Sequence, residues 1–134
     1  IEPMVLALPE SAPRRLAAAW LLREPLVIFP RAIAPSLFDA VLAFYHRHGV
    51  TPRIAQEAIQ MQTIVNLVSA GLGVALVPRA MMRLQRPGIV YRSMPAALSG
   101  HAPHAETSLV WRADAAPAVH RFVAFVREQV HRPR

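Results

Sequence analysis

The sequence predicts an α/β fold built on a doubly wound, mostly parallel sheet, and three observations predict it. Residues 56–78, QEAIQMQTIVNLVSAGLGVALVP, spell strand end, helix, glycine stop and second strand in one continuous stretch. Two strand–helix–strand passages follow one another between residues 25 and 78, with helices long enough for right-handed crossovers between parallel strands. The strand candidates are unbroken apolar runs without polar alternation, which suits strands covered on both faces.

Residues 4–8 (MVLAL) form the first such run, closed by Pro9, and residues 25–29 (PLVIF) the next, closed by Pro30. Between them, Arg14-Arg15 and the apolar residues 16–22 mimic a twin-arginine signal. Arg23, Glu24 and Pro25 stop the run at once, so a short surface helix is the expected element. After the loop 31–35, Ser36 with Asp39 three residues on reads as a capping-box variant opening a helix over residues 37–48. Leu37, Val41, Leu42, Phe44 and Tyr45 keep helical spacing, and Gly49 supplies a left-handed stop. Residues 53–58 read as a short strand, residues 63–70 as a helix ended by Gly71, and residues 74–77 as a buried strand closed by Pro78. Two further strands are expected at residues 89–92 and 107–111, with a polar connection over residues 95–106. Pro117 then opens a helix whose stripe Val119, Phe122, Val123, Val126 and Val130 needs something to pack on.

At 134 residues the chain fits one domain or one lobe of a larger one. Hydrophobic residues make up 54% and charged residues 17%, far from the disordered regime. It begins with Ile1 instead of Met, so a fragment of a longer protein is expected. The absence of cysteine excludes disulfides and thiolate metal sites. The net charge of +7 comes from arginine alone, and Arg14 and Arg15 are the only adjacent pair. A nucleic-acid surface clusters its cations and interleaves aromatics, so direct binding of nucleic acid by this chain is not expected. No apolar run approaches bilayer length, so a soluble, cytoplasmic protein with no membrane partner is expected.

Catalysis finds no candidate residues. His46 and His48 lie two apart near a helix end, His101 and His104 sit in a loop, and no carboxylate or thiolate completes a metal site around either pair. Paired carboxylates, a G-x-S-x-G elbow and a phosphate loop are all missing, since Gly71 and Gly73 follow a helix instead of opening one. No enzyme activity, metal or cofactor is expected.

Binding has better candidates. In open α/β sheets, ligands collect beyond the carboxyl ends of the strands, where crossover helices point their N-termini. Residues 30–37 and 59–63 are two such places, and their free first-turn amides favour a carboxylate or another electron-rich group. Ser36, Gln60, Gln62 and Thr63 add polar side chains, with Met61 as core or pocket wall. The plainer alternatives are that Ser36 only caps its helix and that the glutamines and Thr63 are a solvated helix start.

Residues 63–78, TIVNLVSAGLGVALVP, resemble the helix–turn–strand motif of the effector-binding domain of LysR-type transcriptional regulators. Residues 24–30, EPLVIFP, are similar to the strand entering the pocket loop of that domain's second subdomain. His48-Gly49 with Pro52, residues 89–92, 107–112 and 119–130 are similar to its later elements. Residues 13–17, PRRLA, depart from the His-Pro-Leu-Ala run common in the family, outside the expected pocket. The resemblance implies a periplasmic-binding-protein-like (type 2) domain of two α/β subdomains joined by two crossing strands, with a small effector in the cleft between them. Residues 1–106 would be the second subdomain, and residues 107–134 the returning strand and a C-terminal helix that packs on a first subdomain outside this chain. The resemblance places Pro35, Ser36, Leu37 and Thr107 at pocket positions, with Gln60, Gln62 and Thr63 bordering the pocket across from the Pro35-Ser36 loop. It further implies dimers or tetramers made through the regulatory domain, with the helix 37–48 near the dimer contact. DNA would be reached only through an N-terminal helix-turn-helix outside this chain. The function so implied is ligand sensing by a transcriptional regulator; the alternative is a lobe of a solute-binding protein or enzyme of the same fold.

Overall fold

Residues 1–130 are described by a computed structural model of the chain, with β1 (Glu2–Pro9) as its axis. After β1 come α1 (Ala18–Arg23), β2 (Leu26–Ile28), α2 (Pro35–Arg47), β3 (Ile54–Glu57), α3 (Met61–Ser69) and β4 (Ala75–Pro78). A 3-10 turn (Arg79–Arg83), β5 (Ile89–Arg92), α4 (Ala96–Ser99), β6 (His104–Ala105) and α5 (Pro117–Val130) complete it.

The α/β architecture is as expected, and β2 pairs with β3 in parallel. A parallel bridge, Leu26 with Val74, joins β2 to the start of β4, where Val27 N–H donates to Val74 C=O and Val74 N–H to Pro25 C=O, both at 2.8 Å. The crossover helices α2 and α3 thus do what their lengths predict. The departure is β1, which runs antiparallel to β4, β5 and β6, so the sheet is mixed. An apolar run reports burial on both faces and carries no direction.

Both glycine stops hold. Gly49 and Gly71 have φ of 72° and 86°. After α3, Gly71 N–H donates to Val68 C=O at 2.9 Å and Leu72 N–H to Leu67 C=O at 3.1 Å; Gly49 and Val50 repeat the pattern on His46 and Tyr45. These paired bonds satisfy the last carbonyls of each helix.

The core lies where β1, β2 and β4 meet α2 and α3. Phe38, Val41, Phe44 and Tyr45 face it from α2, and Ile64, Val65 and Val68 from α3. Each such side chain contributes about 1.5–3 kcal/mol by leaving water. Strand β3, by contrast, is exposed along its whole length at the sheet edge.

Two expectations fail. Residues 107–111 form no strand; the pairing of β6 with β1 ends at Glu2 with Ala105, and no free strand edge continues past it for residues 106–112 to join. The capping box is also absent: the N-cap of α2 is Ala34, Pro35 takes the first turn, and no side chain caps it. Asp39 instead forms a two-pronged ion pair with Arg31, both contacts at 2.8 Å, fastening the loop before α2 to the helix. The connection 95–106 is likewise more structured than expected, holding α4 and β6.

Candidate functional site

One edge of the sheet collects both expected ligand places, the starts of α2 and α3. Because β2, β3 and β4 run in the same direction, their carboxyl ends share that edge and lead into the starts of α2 and α3 and into the 3-10 turn. Antiparallel pairing brings the beginning of β1 to the same edge, since Met4 lies opposite Pro78. The Glu2 carboxylate accepts a hydrogen bond from Ala80 N–H and so ties β1 to the 3-10 turn.

At the start of α2, Ala34, Pro35, Ser36 and Leu37 line a cavity of about 390 Å3 with His104 and Glu106 across from them. The first in-helix bond is Phe38 N–H to Ala34 C=O at 2.9 Å, so the amides of Ser36 and Leu37 have no helical acceptor. Pro35 has no N–H and contributes shape and a preset φ. His104, weighed in the sequence only as a metal ligand, and Glu106 come to this cavity because β6 pairs with β1, and a two-residue strand leaves no periodicity to read.

Gln60 and Gln62 line a separate depression of about 620 Å3 with Met61, Met81, Arg83 and Leu84. Helix α3 starts at Met61 with Gln60 as its N-cap and no side-chain cap. Thr63 and Thr107 are exposed and line neither cavity, although Thr107 directly follows Glu106. The candidate residues therefore share one edge but do not meet in one cavity.

Arg31, by hydrogen bonding, holds the Asp39 carboxyl below its ordinary 3.8, against an opposing desolvation and with the guanidinium charge adding to the lowering. The pair's support for the loop is present above the ordinary carboxylate range and is lost as pH falls through the depressed value. Among the described residues no three His, Asp or Glu side chains converge on a common point. Nor is any described helix long and apolar enough to cross a membrane.

The family described as LysR substrate binding domain matches residues 1–131. The chain belongs to that family. HTH-type transcriptional regulator IlvR of Caulobacter vibrioides is 44% identical over 135 residues, which cover 98% of this chain and 44% of IlvR. HTH-type transcriptional regulator CatR of Pseudomonas putida is 31% identical over 131 residues, 96% of this chain and 44% of CatR. The crystal structure of CbnR, a LysR family transcriptional regulator, superposes with a TM-score of 0.68 at 25% identity, over 95% of this chain and 44% of CbnR. The BenM effector binding domain with its effector benzoate superposes at 0.59 and 24% identity, over 69% of this chain and 45% of that one, which speaks to fold alone. The chain spans less than half the length of these relatives.

Membership of the LysR family makes this a regulatory domain and not an enzyme, with the periplasmic-binding-protein-like fold of its structural neighbours. A lobe of a solute-binding protein or enzyme is not favoured by relatives that are named transcriptional regulators. In this LysR domain the cavity at Pro35, Ser36 and Leu37 sits at the edge where open α/β sheets take their ligands.

Proposed function

We propose that residues 1–106 are the second subdomain of the effector-binding domain of a cytoplasmic LysR-type regulator, and that the segment assigned as 107–134, whose residues 131–134 lie outside the described residues, returns the chain toward a first subdomain outside it. The ligand is a small carboxylate-bearing effector, and its binding alters how the intact regulator holds DNA through a helix-turn-helix outside this chain. The observation that carries this reading is the cavity of about 390 Å3 at the start of α2, lined by Ser36 and Leu37, whose amides have no helical acceptor. Benzoate, named as the effector of the BenM domain, has this chemistry. In this reading Pro35, Ser36 and Leu37 hold the carboxylate end, Thr107 borders the cavity beside Glu106, and Gln60, Gln62 and Thr63 meet the distal part of the ligand along the same edge.

The exposed stripe of α5 supports the division at residue 107, since Phe122 and Phe125 are 55% and 57% exposed and Val130 is 75% exposed. A helix with this much apolar surface needs a partner. Self-association through α2 is part of the same proposal, because its outer face carries the exposed His46 and Arg47 beside Ala43.

The test is a thermal-shift comparison of small carboxylates with their matched neutral amides on the intact regulator. A binding carboxylate at a hundredfold its Kd stabilises by about 2.7 kcal/mol, and its amide should do much less. Equal shifts from acid and amide, or none from any carboxylate, would contradict the proposal.

A further inference from the structure

A third recess opens on the same sheet edge, and the proposed effector cavity does not use it. It measures about 380 Å3, with Met4 of β1, Met82 of the 3-10 turn and Met94 beyond β5 as apolar walls and Arg79 and Ser93 as polar ones. His104 lines both this recess and the α2 cavity, so the two are neighbours.

Their electrostatic characters differ. The α2 cavity has a carboxylate, Glu106, and no cation on its walls. The Met-walled recess has a cation, Arg79, and no carboxylate. Among the described residues the ion pairs are Arg31 with Asp39 and Arg112 with Asp114, so Arg79 is engaged in neither. The nearby Glu2 carboxylate accepts from Ala80 N–H and forms no ion pair with Arg79. The exposed Arg79 guanidinium therefore keeps its fork of donors for a ligand. Methionine walls adapt to varied apolar shapes, because the thioether chain is flexible and polarizable.

We propose that the Arg79 recess is a second ligand site, for an anion with an apolar body such as an aromatic or branched aliphatic carboxylate. The carboxylate pairs with Arg79, with the Ser93 hydroxyl as a further donor, and the apolar body lies among Met4, Met82 and Met94. This site is separate from the α2 cavity and stands whether or not that cavity binds an effector.

Methyl-resolved NMR of the intact regulator with 13C-methyl methionine and leucine tests this, with benzoate as the probe and benzamide as its neutral match. Benzoate should shift the methyls of Met82 and Met94, leaving Met61 and Met81 of the α3 depression unmoved. Benzamide should bind about tenfold more weakly, as should benzoate on Arg79→Gln. Leu37 reports the α2 cavity in the same spectra, so failure there and failure at the methionines are read separately. Unshifted Met82 and Met94 methyls at millimolar benzoate would overturn the proposal. So would shifts that benzamide or the Arg79→Gln variant reproduces in full.

Discussion

Ser36 occupies the second position of α2, exposed and making no capping bond, so its hydroxyl is available to a ligand. Ser36→Ala should therefore change stability by less than about 0.5 kcal/mol in a urea melt, while weakening the thermal response to a binding carboxylate. A loss near 1 kcal/mol with an undiminished response would mean that the hydroxyl serves the helix and not the site. Tyr45 presents the opposite situation: it is fully buried beside Phe44, with ring centroids 5.4 Å apart, and its hydroxyl has no hydrogen-bond partner among the described residues. Burial pushes its ionisation well above the ordinary 10. The unfolded chain alone therefore loses this proton above pH 10, and stability should fall as pH rises beyond that point. Tyr45→Phe keeps the ring and removes the orphan group, so stability at neutral pH should hold or rise by up to about 1 kcal/mol, and the alkaline loss should shrink. A destabilised variant in chemical denaturation would reveal a partner for the hydroxyl.

Among the elements, Gly71 and Gly73 look alike in sequence and do different work. Gly71 takes a left-handed φ in open space, so Gly71→Ala should cost about 1–2 kcal/mol from backbone strain alone. At Gly73 an added Cβ would lie 2.2 Å from the Pro25 carbonyl oxygen, the acceptor that joins β4 to β2. Gly73→Ala should cost more than Gly71→Ala, at least about 2 kcal/mol, because only opening that bridge relieves the contact. Equal losses in parallel melts would contradict this. The stop at Gly71 is legible because a helix end needs φ > 0, whereas the close approach at Gly73 depends on Pro25, just before β2 and remote in sequence. The same division runs through the fold. Helices α2 and α3 and strands β2, β3 and β4 announce themselves through local pattern, while the antiparallel course of β1 and the unpaired residues 107–111 are decided by which edges are free. In the site, Pro35, Ser36 and Leu37 were readable as a helix start after a strand. His104 and Glu106 were not, and neither was the separation of Gln60 and Gln62 into another depression, because both follow from lateral strand order.

For the whole molecule, the sheet edge and α5 are two surfaces with different tasks. Trp111 lies under the Arg127 guanidinium, 5.2 Å from the ring centroid, and Val123 is buried, so one side of α5 is already held by the segment before it. Phe122 and Phe125 remain more than half exposed. Replacing both with serine should leave the melting temperature of this chain unchanged and lower that of the intact regulator, whose first subdomain the two rings would cover; a lower melting temperature of this chain alone would show that the rings belong to its own core. The sheet edge carries the central claim, that a small carboxylate seats on the first turn of α2. The most direct measurement is the backbone amide NMR of the intact regulator, titrated with whichever carboxylate stabilises it in the thermal screen. The amide resonances of Ser36 and Leu37 should move downfield and saturate with that ligand. A ligand that saturates the protein while both amides stay in place would contradict it.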